Sequence, residues 1–314
     1  MGNEVENKEP RDPKNLLMAL VVAAIVVSVG AVGYVLYSDS QAVNSTSTRA
    51  IIAGDSVNVD YIGKFLDGRV FDTSLWYVAQ DDALYPKSLT FSMRSNDSYK
   101  PLTMTAGDYG AGGTIRGFAL GVIGLRAGEQ KTVVVPPEDA YPVNEGMMTT
   151  INITDRLPIT EYWTEQEFKD EFNVDPVPLD AVAHPFWQWS VLVANVSGGH
   201  VTTQAQPVVG TSVYPYGNPK TSEKPTGWEV KVRSYDPAAD GGIGEIVIEH
   251  MVSADDVYNV KGTDQGGWTF VLSGFDGANG TFQIHKSNLS YGYNGEIAGR
   301  TLVFEITIVS VTAG

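Results

Sequence analysis

The residue types that most often do chemistry are scarce in this sequence or badly spaced for it. There is no cysteine, so thiol catalysis, thiolate metal sites and disulfides are excluded. His184, His200, His250 and His285 lie far apart with no His-x-x-x-His pair, and they read as surface or strand histidines rather than metal ligands. Gly107-Asp-Tyr-Gly-Ala-Gly-Gly113 is glycine-rich, but no Lys-Ser/Thr follows it, so it is not a phosphate loop. Asp236-Pro-Ala-Ala-Asp240-Gly-Gly lacks the alternating acids and terminal Glu of a calcium loop and reads as a turn. Neither a metal nor a cofactor is expected. One pair stands out from this background. Asp72 follows Phe71 directly, and an acid beside a core phenylalanine has no obvious reason in a sheet.

The elements around that pair are mostly strands. Ser56-Val-Asn-Val-Asp-Tyr61 alternates apolar and polar residues, as a half-buried strand does. Asp67-Gly68 supplies a tight turn before Val70-Phe71. In Ile115–Leu125 the apolar residues Phe118, Val122 and Leu125 predict a short helix with one buried face, kept short by Gly121 and Gly124. Lys131–Val135 reads as a strand stopped by Pro136-Pro137, and Thr301–Val311 as a long final strand. Between these lies a different pattern. Thr164-Glu-Gln-Glu167 is a capping box, predicting a helix over Glu165–Phe172. Beyond Pro176 and Pro178 come tryptophan-led hairpins. Gly227-Trp-Glu-Val and Gly267-Trp-Thr-Phe each begin one, and Trp189-Ser-Val-Leu-Val193 begins a third. The expected product is a small antiparallel barrel or sandwich with its aromatics in the core.

Two separated segments carry a family resemblance. The first is Tyr61-Ile-Gly-Lys-Phe-Leu-Asp-Gly-Arg-Val-Phe71-Asp72-Thr-Ser, and the second is Gly295-Glu-Ile-Ala-Gly-Arg-Thr-Leu-Val-Phe304-Glu. Together with Gly128-Glu-Gln-Lys-Thr-Val-Val-Val-Pro-Pro-Glu-Asp-Ala-Tyr141, they resemble FKBP-type peptidyl-prolyl isomerases. The resemblance covers about residues 51–143 and 291–314. It implies an α+β fold in which a half-wrapped antiparallel sheet packs on one short helix around a shallow apolar pocket for a proline ring. Carried over, the pocket residues are Tyr61, Phe71, Asp72, Ile115, Phe118, Tyr141 and Phe304. Leu102, Met104, Thr114 and Ile297 are implied as further substrate contacts. Phe118 stands where the best-known members have Trp, Pro142 where Gly is usual after Tyr141, and Thr114 where an aliphatic residue stands beside Ile115, while about Leu75–Tyr99 is extra. The stretch 144–290 enters where SlyD-like and archaeal long-type members carry a client-binding insert, and a β-rich, chaperone-like domain is expected there.

The implied chemistry needs no nucleophile and no general base. An X–Pro bond turns against about 18–20 kcal/mol of amide resonance. Resonance places charge on the carbonyl oxygen, which water favours, so a dry aromatic wall favours the twisted amide. Phe71, Phe118 and Phe304 are the expected walls. Tyr61 and Tyr141 would orient the peptide, the Ile115 N–H would hold a carbonyl, and Asp72 would sit near the twisting amide or hold Tyr61.

The rest of the chain bears on location. Leu16–Tyr37 is an uncharged apolar run of about 22 residues, enough for a helix of roughly 30 Å. Lys8, Arg11 and Lys14 precede it, and the next basic residue is Arg49, so the N-terminus is expected inside and the rest outside. Asn-x-Ser/Thr sequons at Asn44, Asn96, Asn152, Asn195, Asn279 and Asn288 all follow the run. A net charge of −16 argues against nucleic acid as a partner. The expected organisation is a cytoplasmic tail (1–15), a transmembrane helix (16–37), a linker (38–50), an isomerase domain (51–143 plus 291–314) and the insert (144–290). The expected partners are the membrane and proline-containing, unfolded or partly folded polypeptides.

Overall fold

Alternating apolar residues in Ser56–Phe65 set the first strand and hence the first sheet. The computed structural model describes residues 49–110, 113–217, 226–263, 268–288, 292–293 and 295–314. The expected tail and transmembrane helix, most of the linker and the sequon at Asn44 lie outside the described residues. Among the described residues no helix is long and apolar enough to cross a membrane.

Strand β1 (Ser56–Phe65) is the organising element. Along one edge it pairs antiparallel with the final strand of the chain, β5 (Leu302–Thr312). Its other edge is shared: β2 (Val70–Thr73) takes the C-terminal half and β3 (Leu102–Thr105) the N-terminal half. Beyond β5 lies β4 (Gln130–Val135), also antiparallel. The two chain-distant segments noted in the sequence are thus neighbours in one ladder, with Gly63 opposite Phe304 and Tyr61 opposite Ile306.

Residues of odd number in β1 face the main core of this sheet. Val57 and Val59 are buried there with Met104, Val133, Leu302 and Ile308, and Tyr61 packs against them. The short helix α2 (Arg116–Gly121) covers this face with Phe118 and Ala119. It lies very close to β4. A Cβ on Gly117 would fall 2.3 Å from a Val135 methyl, and one on Gly121 2.9 Å from Val133. Gly121 therefore serves packing as well as limiting the helix.

The opposite face is not left to solvent. Ile62 and Val70 bury against Val78 of α1 (Trp76–Gln80), with Leu75, Tyr85 and Phe91 alongside. The extra segment 75–99 is thus a cover for the back of the sheet. Its far end is pinned by Glu296, a fully buried acid (0 % exposed). That carboxylate accepts from the Leu89 and Thr90 N–H groups at 3.2 and 2.8 Å and from the Thr90 hydroxyl at 2.9 Å.

Among the described residues, the stretch 144–290 expected as an insert holds three antiparallel sheets around one core. One holds Thr160–Thr164, His200–Gln206, Ser190–Ser197 and Ala181–Ala183. A second holds Ser212–Val213, Val230–Asp236, Glu245–His250 and Thr154–Pro158. The third is centred on the hairpin Thr269–Asp276 and Thr281–Asn288, with Met148–Asn152 along one edge. Helix α3 (Glu165–Phe172) starts at the capping box, with both reciprocal hydrogen bonds of Thr164 and Glu167 formed. Phe168, Trp189, Trp228, Ile248, Leu272 and Phe282 all belong to the shared core.

A polar joint ties insert to sheet. The Arg300 guanidinium lies 3.4 Å from the centre of the Phe65 ring and 4.3 Å from that of Tyr258 in the insert. It also pairs with Asp67 at 3.0 Å and Glu296 at 3.4 Å. Arg69 donates to the Tyr258 carbonyl, and Lys261 of the insert donates to the Leu89 carbonyl at 2.7 Å. At the point where the insert leaves and returns, the Gly299 N–H donates to the Tyr141 carbonyl at 2.9 Å.

Candidate functional site

Four rings meet where β1, β2, β5 and α2 converge. Phe118 and Phe304 stand edge-to-face with centroids 4.9 Å apart. Phe71 meets Phe304 edge-on at 5.6 Å, and Tyr61 meets Phe118 edge-on at 5.8 Å. Such geometry suits the ring quadrupole and adds about 0.5–1.5 kcal/mol per pair beyond burial. Phe118 and Phe304 are 2 % and 5 % exposed, whereas Tyr61 and Phe71 are only half-buried. The cluster is closed inside and open at its Tyr61–Phe71 side.

Two backbone features make room for it. Gly63 shares the face of β1 that carries Tyr61, opposite Phe304. A Cβ there would fall 2.7 Å from Phe71 and 3.1 Å from Phe304, so the absent side chain is the space those rings fill. The second feature is a bulge. Gly63 pairs with Asp72 and Lys64 with Val70, leaving Phe71 as the extra residue. In a regular strand Phe71 and Asp72 would point to opposite faces. The bulge re-aims them, so that both serve one site.

Asp72 is held on three sides. It accepts from the Tyr61 hydroxyl at 2.5 Å and from the Thr73 N–H at 2.8 Å, and it pairs with Arg94 at 3.1 Å. Burial, and then the neighbouring Asp72 charge, push the Tyr61 hydroxyl well above the ordinary tyrosine range, so it stays protonated at any working pH. Its proton is committed to Asp72. What Tyr61 offers a ligand is therefore its ring and a lone pair. Arg94 comes from the extra segment and also donates to the Thr73 carbonyl at 2.6 Å, with its guanidinium 4.9 Å from the Tyr99 ring. Sequence reading missed Arg94 and Gly63. Arg94 follows Asp72 by a long stretch with no motif to announce it, and Gly63 could have been suspected only as a glycine inside a strand.

Beside the rings opens a cleft of about 820 Å³. Leu102, Met104, Thr114, Ile115 and Tyr141 line it. Tyr61, Phe71, Asp72, Phe118 and Phe304 do not. Met104 and Ile115 are the link, for they line the cleft and also pack in the core that holds the rings. Ile297 packs against that core but not on the cleft. The sequence-derived residues thus form two adjoining groups: a ring cluster with its carboxylate, and an open cleft. The rings and Asp72, not the larger cavity, carry the features that bear on amide rotation. Among the described residues no group of acids and histidines is arranged to hold a metal.

Comparison with known proteins bears on the first part of the folded region. Residues 47–157 match the sequence model of the family FKBP-type peptidyl-prolyl cis-trans isomerase. A short-type peptidyl-prolyl cis-trans isomerase of Methanocaldococcus jannaschii is 38% identical over 92 residues, which are 29% of this chain and 51% of that protein. FK506-binding protein 4 of Chaetomium thermophilum is 29% identical over 93 residues, 30% of this chain and 14% of its own length. FK506-binding protein 3 of Debaryomyces hansenii is 33% identical over 89 residues, 28% of this chain and 15% of its own. The chain therefore spans about half the length of the first relative and a small part of the other two. These matches support the FKBP-type isomerase family for the first part of the folded region. The final strand with Phe304 lies beyond the matched residues.

Proposed function

We propose that the chain is a peptidyl-prolyl cis-trans isomerase acting on proline-containing polypeptides. The observation that carries this reading is the aromatic cluster of Tyr61, Phe71, Phe118 and Phe304 with one carboxylate, Asp72, locked at its open edge. A proline ring rests against the half-buried faces of Tyr61, Phe71 and Ile115. The chain on either side of it runs into the cleft past Leu102 and Tyr141. Apolar walls strip water from the rotating amide and so lower the barrier that resonance sets. Asp72 and Arg94 fix Tyr61, so the wall does not have to order itself when substrate arrives.

The same reading places this activity outside the cytoplasm, anchored by 16–37, with the insert capturing clients beside the pocket. The charge asymmetry around the apolar run and the sequons after it support the location. The bond between Gly299 and Tyr141 supports the role of the insert, because it sets both connections of the insert next to a cleft-lining residue. A second reading, a binding module with little catalysis, is favoured by one observation: the open cleft does not reach Phe71, Asp72 or Phe304.

A proline-isomerisation assay separates the two. Catalysis well above background, lowered by Asp72→Ala with the fold intact by circular dichroism, is the expected result; a parent protein at background favours the binding module. Deleting 144–290 should lower activity on an unfolded protein far more than on a tetrapeptide. Equal losses on both would remove the client-binding role.

A further inference from the structure

The cleft beside the ring cluster carries charge that the rotation of an amide does not call for. Three acids line it, Asp108, Glu138 and Asp139, against a single cation, Arg116. Arg116 is already spent, being ion-paired with Asp139 and lying 5.7 Å from the centre of the Tyr109 ring. Asp108 and Glu138 are exposed and have no ion-pair partner among the described residues. The two acids thus give the cleft a net negative charge at neutral pH. Its remaining walls are amphipathic. Tyr109 and Tyr141 are 48 % and 41 % exposed, and Leu102 on the same cleft is 36 % exposed. An aromatic face with a carboxylate near it suits a long cationic side chain, whose methylene stem lies along the ring while its head reaches the acid. A bare anion is repelled, and a purely apolar residue leaves both carboxylates unpaired.

Resting on the isomerase reading, we infer that Asp108 and Glu138 select substrates carrying a lysine or arginine next to the proline. Ile115 is the geometric reason for the adjacency. It lines the cleft and packs with the rings, so a chain whose proline lies on the rings places its neighbouring residue in the cleft. Both acids sit at the surface, where each interaction is modest and screened by salt.

The test uses the full-length chain in mild neutral detergent and matched proline peptides with Lys, Leu or Glu on either side of the proline. Both kcat/KM for isomerisation and Kd by titration are measured. The expected order is Lys, then Leu, then Glu, with steps of about threefold to tenfold at low salt. The steps should shrink as salt rises, and the order should collapse in the double variant Asp108→Asn/Glu138→Gln. Equal values for Lys and Glu peptides, or an order that survives in the double variant, would overturn the inference. Turnover without the order overturns the cleft and leaves the isomerase standing. The order in Kd without turnover supports the cleft and removes the isomerase. No peptide bound and none turned over removes both.

Discussion

The first sheet and the stretch 144–290 each gather aromatic rings edge-to-face, yet the polar atoms of the two clusters are met in different ways. In the insert, Trp228 meets Phe270 and Phe282 at 5.3 Å, and the three rings are almost wholly buried. The polar handle of Trp228 is satisfied inward, by a 2.9 Å hydrogen bond to His250 Nδ1. In the first sheet the handle is Tyr61, half-buried, and its partner Asp72 is itself tied to Arg94 at the surface. The same ring geometry becomes core where its polar atoms are met from within, and a candidate site where they are met by charges facing water. What distinguishes the two is the chemistry at the edge of the cluster, not the rings.

The largest effect is expected from closing the open cluster. Gly63→Val puts a branched side chain where even its Cβ would fall 2.7 Å from Phe71 and 3.1 Å from Phe304, inside van der Waals contact. Overpacking costs about 1–3 kcal/mol or more, and Phe71 must leave its place to relieve it. Isomerisation should fall to near background while the insert keeps its fold, as amide hydrogen exchange would report. Retained activity would mean that the rings are core in both domains, and the contrast between them would be lost.

Acid should act in the other direction, on the insert first. Burial holds His184 and His250 down at about 4 and lowers His285 as well. Asp155 opposes the shift at His250 but does not overcome it. Trp228 reinforces it, since an indole N–H can only donate and a proton on Nδ1 would face it. The unfolded chain takes up protons near the ordinary histidine value of 6.5, while the folded insert does so only near 4. Stability is therefore full above about pH 6.5 and is lost as pH falls toward 4. Tryptophan fluorescence should report loosening of the insert in that window before the first sheet responds, because no histidine belongs to the first sheet. His250→Gln should flatten the profile. Simultaneous loss of both domains would show instead that the Arg300 joint couples them into one cooperative unit.

The strands, the helix at 116–121 and the capped helix at 165–172 were legible because each depends on local pattern: alternation, spacing, or a cap three residues from its partner. The placing of Phe71 and Asp72 on one site was legible only through resemblance. A single sequence does not announce a bulge, and without it the two side chains part to opposite faces. The back-face cover was not legible for a related reason. Within the extra segment 75–99, Leu75, Val78, Tyr85 and Phe91 pack on Ile62 and Val70, while Arg94 reaches Asp72. Glu296 could not be read at all, since a buried acid is justified by backbone N–H groups far away in sequence.

Arg94 gives the smallest expected effect and the finest test of the edge argument. Its pair with Asp72 is about two-fifths exposed on each side, and such pairs contribute about 0–1 kcal/mol. Arg94→Ala should leave the melting temperature nearly unchanged and lower kcat/KM by about threefold. The loss should appear in kcat more than in KM, because Arg94 meets Asp72 and the Thr73 carbonyl rather than the cleft. It should also be larger for Arg94→Ala in the parent than in an Asp72→Ala background, where there is no carboxylate left to hold. Equal losses in both backgrounds would mean that Arg94 acts through the Thr73 carbonyl and the chain path, and the edge of the open cluster would then consist of Tyr61 and Asp72 alone.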